Sequence, residues 1–471
     1  MPKEFTEEFE PLLIKDFSGE KQPKLPNRSL VLAACAACIG GTFQFGYNIS
    51  VINAPTTDVH NFINQTWIER YQTGIPENVL TLLWSTIVSI FTIGGLLGVT
   101  VGGTLSMKLG RKGTLLANNA FAIIAALLMG LSYPTGYFEL LIIGRFISGL
   151  NAGIGLCVQP LYLGEIAPTA FRGAMGMGTS ISITLGLLAG QVVGLKELLG
   201  KEDSWPILLA TTCVPAFLQL LILPWFPESP RYLLIDRRDS EGCKKALTQL
   251  HGVSRCDGEL EDIEKEKRGL ADFKAKKPWE LLCDRSVRLQ LLTVVLLNVA
   301  QQLNGINAGI LIDRLGRKVL IMGGYTLMSI CCILFTLTLS YQSASPIVPY
   351  LSIASVFAFI LSFGLGPGGV TNILTTELFT QATRPAAYII AGSLNWLSFF
   401  FISMVFPFLV VWLEQYCFLV FMAVCTCMAI YIFFVVPETK NKTFVEIQNE
   451  FKSSKKARTV DAAGMTQLLS I

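Results

Sequence analysis

Long apolar stretches without charged residues alternate with short polar segments along most of this chain. A helix needs about 20 such residues, at ~1.5 Å each, to cross the ~30 Å hydrocarbon layer of a membrane. The charge-free run 319–376 is too long for one helix and divides at the polar segment 340–346. One further apolar stretch, 140–164, is interrupted only by Arg145. The pattern therefore predicts eleven membrane-spanning segments, in 30–52, 79–107, 114–138, 140–164, 173–195, 206–226, 289–312, the two parts of 319–376, 385–413 and 415–437.

The composition also indicates a membrane protein. Of the 471 residues, 52% are hydrophobic and only 15% are charged, and the mean hydropathy is +0.53. These values exclude a soluble domain of this size. The twelve cysteines lie mostly in apolar stretches or in the central charged segment, which argues against a disulfide framework. The histidines, His60 and His251, are isolated, so we expect no enzyme, no metal site and no cofactor, and we expect no nucleic-acid partner.

Lysine and arginine collect in alternate loops, and this placement predicts the orientation of the chain. Lys108 and Arg111 follow the second segment, and the charged stretch 227–288 follows the sixth. The intervening loops at 133–137 and 341–347 carry no charge. Because Lys and Arg favour the cytoplasmic side of a membrane, we expect both termini in the cytoplasm.

The predicted organisation has two helical bundles with a cytoplasmic segment between them. Residues 227–288 separate the sixth from the seventh span and are rich in charged side chains. The predicted regions are a cytoplasmic tail at 1–28, a six-helix bundle at 29–226, a cytoplasmic linker at 227–288, an incomplete helical bundle at 289–437 and a cytoplasmic tail at 438–471.

The two bundles share motifs at matching positions. Glu165 lies seven residues before Arg172, and Glu377 lies seven before Arg384, so both pairs are offset by 212 residues. The sequence LGRKG in the first half likewise returns as LGRKV in the second. Duplicated halves are common in membrane transporters. The repetition predicts two bundles related by pseudo-symmetry.

One interval differs between the halves. Gln44 precedes Gly110 by 66 residues, whereas Gln302 precedes Gly316 by only 14. Compared with the first half, the second half therefore lacks part of the seventh helix and nearly all of the eighth after Ala308. We still expect the second half to keep its orientation, because inversion would place its basic loops on the outer face. The chain is interpreted as a gapped form of a twelve-helix membrane protein.

Several linked motifs occur in one order: GRFISGLNAG, YLGEIAPTAFRGA, PESPRYLL, QQLNGINA, ELFTQATRPAA and PETKNKTFVEI. Over nearly its whole length the chain resembles the facilitative sugar transporters, the glucose-transporter family of the major facilitator superfamily. Asn372 stands where glucose-selective members carry a tryptophan, which favours the class II, fructose-type branch. The resemblance implies an all-α membrane protein with two pseudo-symmetric helical bundles. It also implies alternating-access transport of a hexose across the plasma membrane.

Polar side chains inside the spans are candidates for sugar recognition. A sugar hydroxyl donates and accepts hydrogen bonds, and Gln and Asn amides can do both on adjacent atoms. The candidates are Gln301, Gln302, Asn307, Asn395 and the aromatic Trp396. Intramembrane amides can instead only hold helices together, at ~0.6–2 kcal/mol each. The clustering of three amides in the seventh span favours a binding site.

Further candidates follow from the resemblance. It implies that Gln44 and Gln191 line or support the sugar cavity. Ser180 stands where many relatives have a sugar-binding glutamine, and Phe399 replaces another expected asparagine. These departures leave both glucose and fructose open as the substrate.

A second set of candidates is charged and lies at cytoplasmic helix ends. Its members are Arg111, Glu165, Arg172, Asp313, Arg317, Glu377 and Arg384. Exposed ion pairs contribute only about 0–1 kcal/mol each, so such pairs can break and re-form during a transport cycle. The basic members can instead serve only to set topology. Because the acidic members repeat with the same spacing, a cytoplasmic gate is the better interpretation.

The absence of Asp and Glu from the interior of the predicted spans indicates whether transport is coupled to protons. Proton coupling needs a protonatable group within the membrane path. No predicted span contains Asp or Glu away from its ends, so we expect a passive uniporter. The alternatives are a non-transporting or regulatory variant and a proton-coupled symporter of the same fold. The partners expected are a hexose and the lipid bilayer, and the sequence does not indicate an oligomeric state.

One modification site is predicted. Asn64 begins the sequon Asn64-Gln65-Thr66 in the segment 53–78, which the topology places outside as a loop. We expect an N-linked glycan at Asn64.

Overall fold

The computed structural model describes residues 27–168, 172–252, 288–302, 316–341, 347–363 and 384–439, and isolated positions at 258, 260–261, 263–264, 283, 367, 371, 374 and 378–379. All regular elements among these residues are helices, which confirms the predicted all-α fold.

In the first half, one apolar helix changes to a π-helical turn at Ile39–Phe43 and then continues. A shorter polar helix and a series of apolar helices follow it, and the last helix lies in the predicted linker. The helices are α1 (Arg28–Cys38), α2 (Gln44–Val51), α3 (Thr56–Tyr71), α4 (Glu77–Leu109), α5 (Arg111–Thr135), α6 (Glu139–Ile166), α7 (Arg172–Val193), α8 (Trp205–Ala210), α9 (Cys213–Ile222) and α10 (Ser240–His251).

The described part of the second half also consists of helices. They are α11 (Arg288–Gln302), α12 (Arg317–Ser340), α13 (Val348–Phe363), α14 (Arg384–Leu413) and α15 (Cys417–Val435). Its buried core joins these helices through residues such as Leu297, Tyr325 and Ile432.

Seven helices among the described residues are long and apolar enough to cross a membrane. They are Arg28–Val51, Glu77–Leu109, Arg111–Thr135, Glu139–Ile166, Trp205–Trp225, Arg317–Ser340 and Ile389–Val435. The last of these combines α14 and α15, and shorter apolar stretches lie at Ile181–Val193 and Tyr350–Phe363. Each of the eleven predicted segments thus contains helix in its described part.

The segment predicted as an outer loop contains a helix, α3, at Thr56–Tyr71. The expectation of a loop was therefore wrong for these residues. Val59, Phe62 and Ile63 are buried, and their spacing of three and four residues places them on one helical face. Phe62 packs against Trp205, with ring centroids 5.5 Å apart. Burial of this narrow apolar face stabilises a helix that its polar composition alone does not predict.

In the first half, α4 and α6 pack closely against each other. Gly149 of α6 lies against the backbone of α4, and a Cβ built there would be 2.0 Å from the carbonyl oxygen of Phe91. Small residues allow membrane helices to approach closely where no hydrophobic force joins them. The backbones of α4 and α6 are therefore in direct contact at Gly149.

Candidate functional site

A charged cluster lies at the end of α5 that the sequence places in the cytoplasm. The Arg111 guanidinium lies 2.9 Å from Glu165 Oε2, and its Nη1 lies 2.8 Å from Asp236 Oδ2. The hydroxyl of Ser229 also donates to Glu165 Oε2. The structure thus brings two predicted residues, Arg111 and Glu165, into contact. Arg70 and Glu139 form a further ion pair in the first half.

A second carboxylate in this cluster caps a helix. Glu228 Oε1 accepts hydrogen bonds from the backbone N–H groups of Arg111 and Lys112, at 3.0 and 2.9 Å. The first N–H groups of a helix have no partner within it and carry partial positive charge. Glu228 satisfies two of them and holds α5 to the segment after α9. In the sequence, Glu228 stood out only as part of PESPRYLL, one of the motifs that carry the family resemblance.

The second half repeats this arrangement. Glu438 accepts from the backbone N–H groups of Arg317 and Lys318, at 2.9 and 3.1 Å. Both helices begin after a glycine with positive φ, +84° at Gly110 and +90° at Gly316. Glycine adopts this conformation without the steric penalty that a Cβ imposes.

The remaining charged candidates are only partly described. The structure places Arg172 and Arg384 at the first positions of α7 and α14, and describes neither side chain. Asp313 and Glu377 lie outside the described residues. A cytoplasmic gate between the halves stays a prediction.

Among the sugar-binding candidates of the first half, Gln44 is held most firmly. It is 1% exposed, and its Nε2 donates to the backbone carbonyl of Thr212. Gln191 is exposed on α7. Ser180 lies on the same helix, although its side chain is not described. The structure therefore places Gln44 within the packed bundle and leaves Gln191 accessible.

In the second half, Trp396 joins the two bundles. Its ring is 7% exposed and lies edge-on to Phe45, with centroids 6.0 Å apart. A Cβ built at Gly95 of α4 would lie 2.2 Å from the Trp396 ring. Asn395, beside it, is half-buried. In this conformation Trp396 packs between the bundles, where it has little surface available for a sugar.

The amide cluster of the seventh span lies at the limit of the described chain. Gln301 and Gln302 are the last residues of α11, and their side chains are not described. Asn307 lies outside the described residues. Their role in sugar binding stays a prediction.

The structure adds a buried cation that sequence analysis had noted only as an interruption of a span. Arg145 of α6 is 2% exposed. Its side chain donates to the carbonyl oxygens of Asn48, at 3.0 Å, and Ile87, at 3.4 Å. Its guanidinium carbon lies 4.5 Å from the centre of the Phe91 ring. Arg145 thus joins α2, α4 and α6, and a lone arginine inside an apolar span was the signal for this role.

The predicted glycosylation residue lies on α3. Asn64 is half-buried, and Thr66 of the same sequon is 4% exposed. N-glycosylation at Asn64 stays a prediction.

The chain matches a known protein family over most of its length. The family described as sugar (and other) transporter matches residues 33–311 and again residues 308–451. The second match begins at the position where the second half is shortened.

Similar proteins are facilitated glucose transporters. Member 11 of Homo sapiens is 44% identical over 463 residues, which cover 90% of this chain and 93% of that protein. Member 9 of Homo sapiens is 44% identical over 476 residues, covering 93% and 88%. Member 5 of Mus musculus is 40% identical over 468 residues, covering 92% and 93%.

Solved structures share the fold. The inward-open conformation of the xylose transporter XylE from E. coli superposes with a TM-score of 0.74 at 23% identity, covering 89% of this chain and 99% of that chain. Its partially occluded inward-open conformation gives 0.70 at 21% identity, covering 88% and 100%.

Proposed function

This chain belongs to the class II facilitated glucose transporter family of the major facilitator superfamily, and from that premise we propose that it carries fructose or glucose across the plasma membrane. The observation that carries the proposal is the family match together with amide side chains on both bundles, Gln191 on α7 and Asn395 on α14. Such groups can exchange hydrogen bonds with a neutral polyol. The bilayer and a hexose are then the partners, and both termini lie in the cytoplasm.

The transport is passive. In the described helices that are long and apolar enough to span a membrane, Asp and Glu lie within one turn of an end, as Glu77 and Glu165 do, or, at Glu414, in the turn between α14 and α15. A proton-coupled carrier needs a titratable group in its path. The sugar therefore moves down its own gradient.

The sugar contacts come from both halves. The proposed set is Gln44, Ser180, Gln191, Gln301, Gln302, Asn307, Asn395 and Trp396. Because Gln44 is buried and Trp396 packs between the bundles, their contact with sugar requires a conformation in which the bundles have moved apart. The charged residues at the cytoplasmic helix ends hold the inner face closed in the outward-open state. The Arg111–Glu165 pair is the part of this gate in the first half.

Uptake into proteoliposomes tests the transport. Radiolabelled fructose and glucose should equilibrate with saturable kinetics, and collapse of a pH gradient should leave the rate unchanged. Accumulation above equilibrium that depends on the pH gradient would refute uniport.

A single substitution tests the amide cluster. Gln302→Ala should weaken uptake at least tenfold, about 1.4 kcal/mol, while the amount of protein in the membrane stays the same. Equal losses of protein and of uptake would instead support a helix-packing role for Gln302.

A second function is favoured by one observation, the short interval between Gln302 and Gly316. A bundle without most of its eighth helix has a cavity open along one wall, and such a chain is a non-transporting or regulatory form of the carrier. Insertion of an eighth helix from a relative after Ala308 should then raise uptake. Uptake by the unmodified chain at rates typical of its relatives would exclude this alternative.

The orientation of the shortened half can be measured separately. A glycosylation tag after the last residue should stay unmodified, because the tail is cytoplasmic. A glycosylated tag would show an inverted second half.

A further inference from the structure

The first membrane helix has a π-helical turn at Ile39–Phe43, between α1 and α2, with a kink at Gly41, whose φ of −101° and ψ of −106° are not helical. A π turn adds one residue to the α-helical repeat, and such turns occur frequently at functional sites. Because Gly41 leaves the helical conformation, the direction of the residues after the turn is not set by α1 alone. Gln44 and Asn48 lie directly after the turn. Their direction therefore depends on whether the turn persists.

Backbone carbonyls beside the turn receive hydrogen bonds from a side chain of another helix. Gln219 of α9 is 0% exposed, and its Nε2 lies 3.0 Å from the oxygen of Ala36 and 2.9 Å from that of Ala37. A change of helical pattern disrupts the regular hydrogen-bond ladder, and buried backbone groups at such a place require other partners. Gln219 supplies two such bonds at the start of the turn.

The other end of the Gln219 amide is also held. Asn119 of α5, likewise 0% exposed, donates from Nδ2 to Gln219 Oε1 at 2.9 Å. Reversal of the Gln219 amide would place its oxygen against two carbonyl oxygens, so the network specifies one orientation. Three segments, α5, α9 and the end of α1, are thereby joined.

The fit around the turn leaves no room for a side chain. A Cβ built at Gly40 would lie 2.4 Å from Gln219 Oε1, and one at Gly41 would lie 2.9 Å from Gln159 Cβ. Gln159 of α6 approaches from that second side and donates to Cys38 Sγ at 3.2 Å. Buried amides from two helices thus enclose the turn.

We propose that Gln219 and Asn119 form a clamp that holds the π turn and thereby positions the polar face of α2 for the sugar path. They are positioning residues, because they act through the backbone of α1. Gln44, just after the turn, also donates to the backbone carbonyl of Thr212, in the link between α8 and α9. Residues 212–219 therefore hold the turn at both ends. The effect on sugar binding rests on the proposed function, whereas the clamp itself does not.

Amide hydrogen exchange in lipid nanodiscs tests the clamp without a substrate. Gln219→Met keeps the side-chain length and removes every polar atom, and Asn119→Leu removes the second member. Both should speed exchange at residues 39–44 at least tenfold, because local opening becomes easier. The matched control is Asn118→Leu, since Asn118 is equally buried on α5 but donates to Asn151. Unchanged exchange in Gln219→Met, with a native chromatographic profile, would overturn the clamp.

Gln219→Glu provides a second variant for the same test. It keeps the volume and places an oxygen where the Nε2 donor stood, so it should also speed exchange at residues 39–44. If Gln219→Met fails to fold, the result with Gln219→Glu decides the clamp in the same way.

Equilibrium binding of radiolabelled fructose and glucose tests the positioning role. Gln219→Met should raise Kd about tenfold, which is ~1.4 kcal/mol, and Asn118→Leu should leave it unchanged. Addition of Asn119→Leu to Gln219→Met should cause little further loss, because residues of one network act non-additively. Faster exchange with an unchanged Kd would overturn the positioning role. A wild-type chain that binds neither sugar would refute the proposed function, while the exchange result would still decide the clamp.

Discussion

The carboxylate of Glu438 accepts a hydrogen bond from the backbone N–H of Arg317 at 2.9 Å. It thereby fixes the start of α12 to the residues that follow α15. Glu228 makes the equivalent bond to Arg111 at the start of α5. The internal repeat therefore preserves a hydrogen bond that joins the residues after the last membrane helix of each half to the start of an earlier helix.

Loss of either cap should destabilise its own half. Gln keeps one acceptor oxygen but loses the charge, so Glu228→Gln and Glu438→Gln should each lower the free energy of unfolding by about 1 kcal/mol, the difference between a charged and a neutral hydrogen bond. Thermal unfolding in detergent measures the effect, and Glu197→Gln is the control because Glu197 is exposed. A melting temperature unchanged in both variants would contradict the capping role.

The contact between Gly95 and Trp396 should be sensitive to one methyl group. Gly95→Ala places a Cβ 2.2 Å from the Trp396 ring, so the two bundles must separate or the ring must move. We expect overpacking of about 1–3 kcal/mol, measured as a lower melting temperature. In Gly95→Ala combined with Trp396→Ala the loss due to Gly95→Ala should largely disappear.

The control for this pair is Gly103→Ala on the same helix, because a Cβ at Gly103 meets nothing within 4 Å. If Gly103→Ala and Gly95→Ala destabilised the protein equally, helix propensity or another general effect would explain the result. Additive losses in the double variant would likewise exclude a direct contact.

The pH dependence of stability should reveal His60 on α3. Burial lowers the pKa of His60, and its ring lies edge-on to Trp84 at 5.1 Å. A histidine in the unfolded chain takes up a proton near pH 6.5, whereas the folded chain resists protonation until lower pH. The free energy of unfolding contributed by this site should therefore fall as the pH drops below about 6.5.

Melting temperatures between neutral and mildly acidic pH measure this slope. His60→Phe should reduce it, because no proton can then bind at the site. His251→Gln should leave the contribution of His60 in place, since His251 lies on α10. A slope that is unchanged by His60→Phe would show that other groups cause the acid sensitivity.

Arg145 should be required for assembly of the first half. Arg145→Gln removes the charge and at least one of the bonds to Asn48 and Ile87, at about 1.5–3 kcal/mol for each bond lost. We expect a lower melting temperature and less folded protein, and Arg145→Lys should restore only part of the stability because it lacks the planar fork. Lys201→Gln, at an exposed position, should have no such effect.

Much of the fold could be predicted from local patterns. The apolar stretches predicted where the helices lie. A span in lipid must form its backbone hydrogen bonds within its own helix, and this gives it a characteristic length. The repeated GRK and Glu motifs predicted two related halves, and the paired caps at Glu228 and Glu438 agree with that repetition. The family also followed from ordered motifs, since their residues and spacing are visible without a structure.

Part of the candidate site was predictable and part was not. Arg111 and Glu165 were expected at the same inner surface, and they form an ion pair. The helical conformation of α3 was missed, because its apolar face is narrow and is stabilised by Trp205, far along the chain. The packing of Trp396 against Gly95 was also missed, because an aromatic residue beside an asparagine is equally typical of a sugar site.

The sequence by itself therefore determined the membrane class, the two-bundle organisation and the family, since each depends on composition and on spacings along the chain. Only the tertiary structure decided which buried polar groups meet. Gln219 is separated from Ala36 by 183 residues, yet its amide donates to that carbonyl. A glutamine inside an apolar helix is visible in the sequence, but its hydrogen-bond partner depends on how the helices approach and rotate, and packing across the whole bundle sets both.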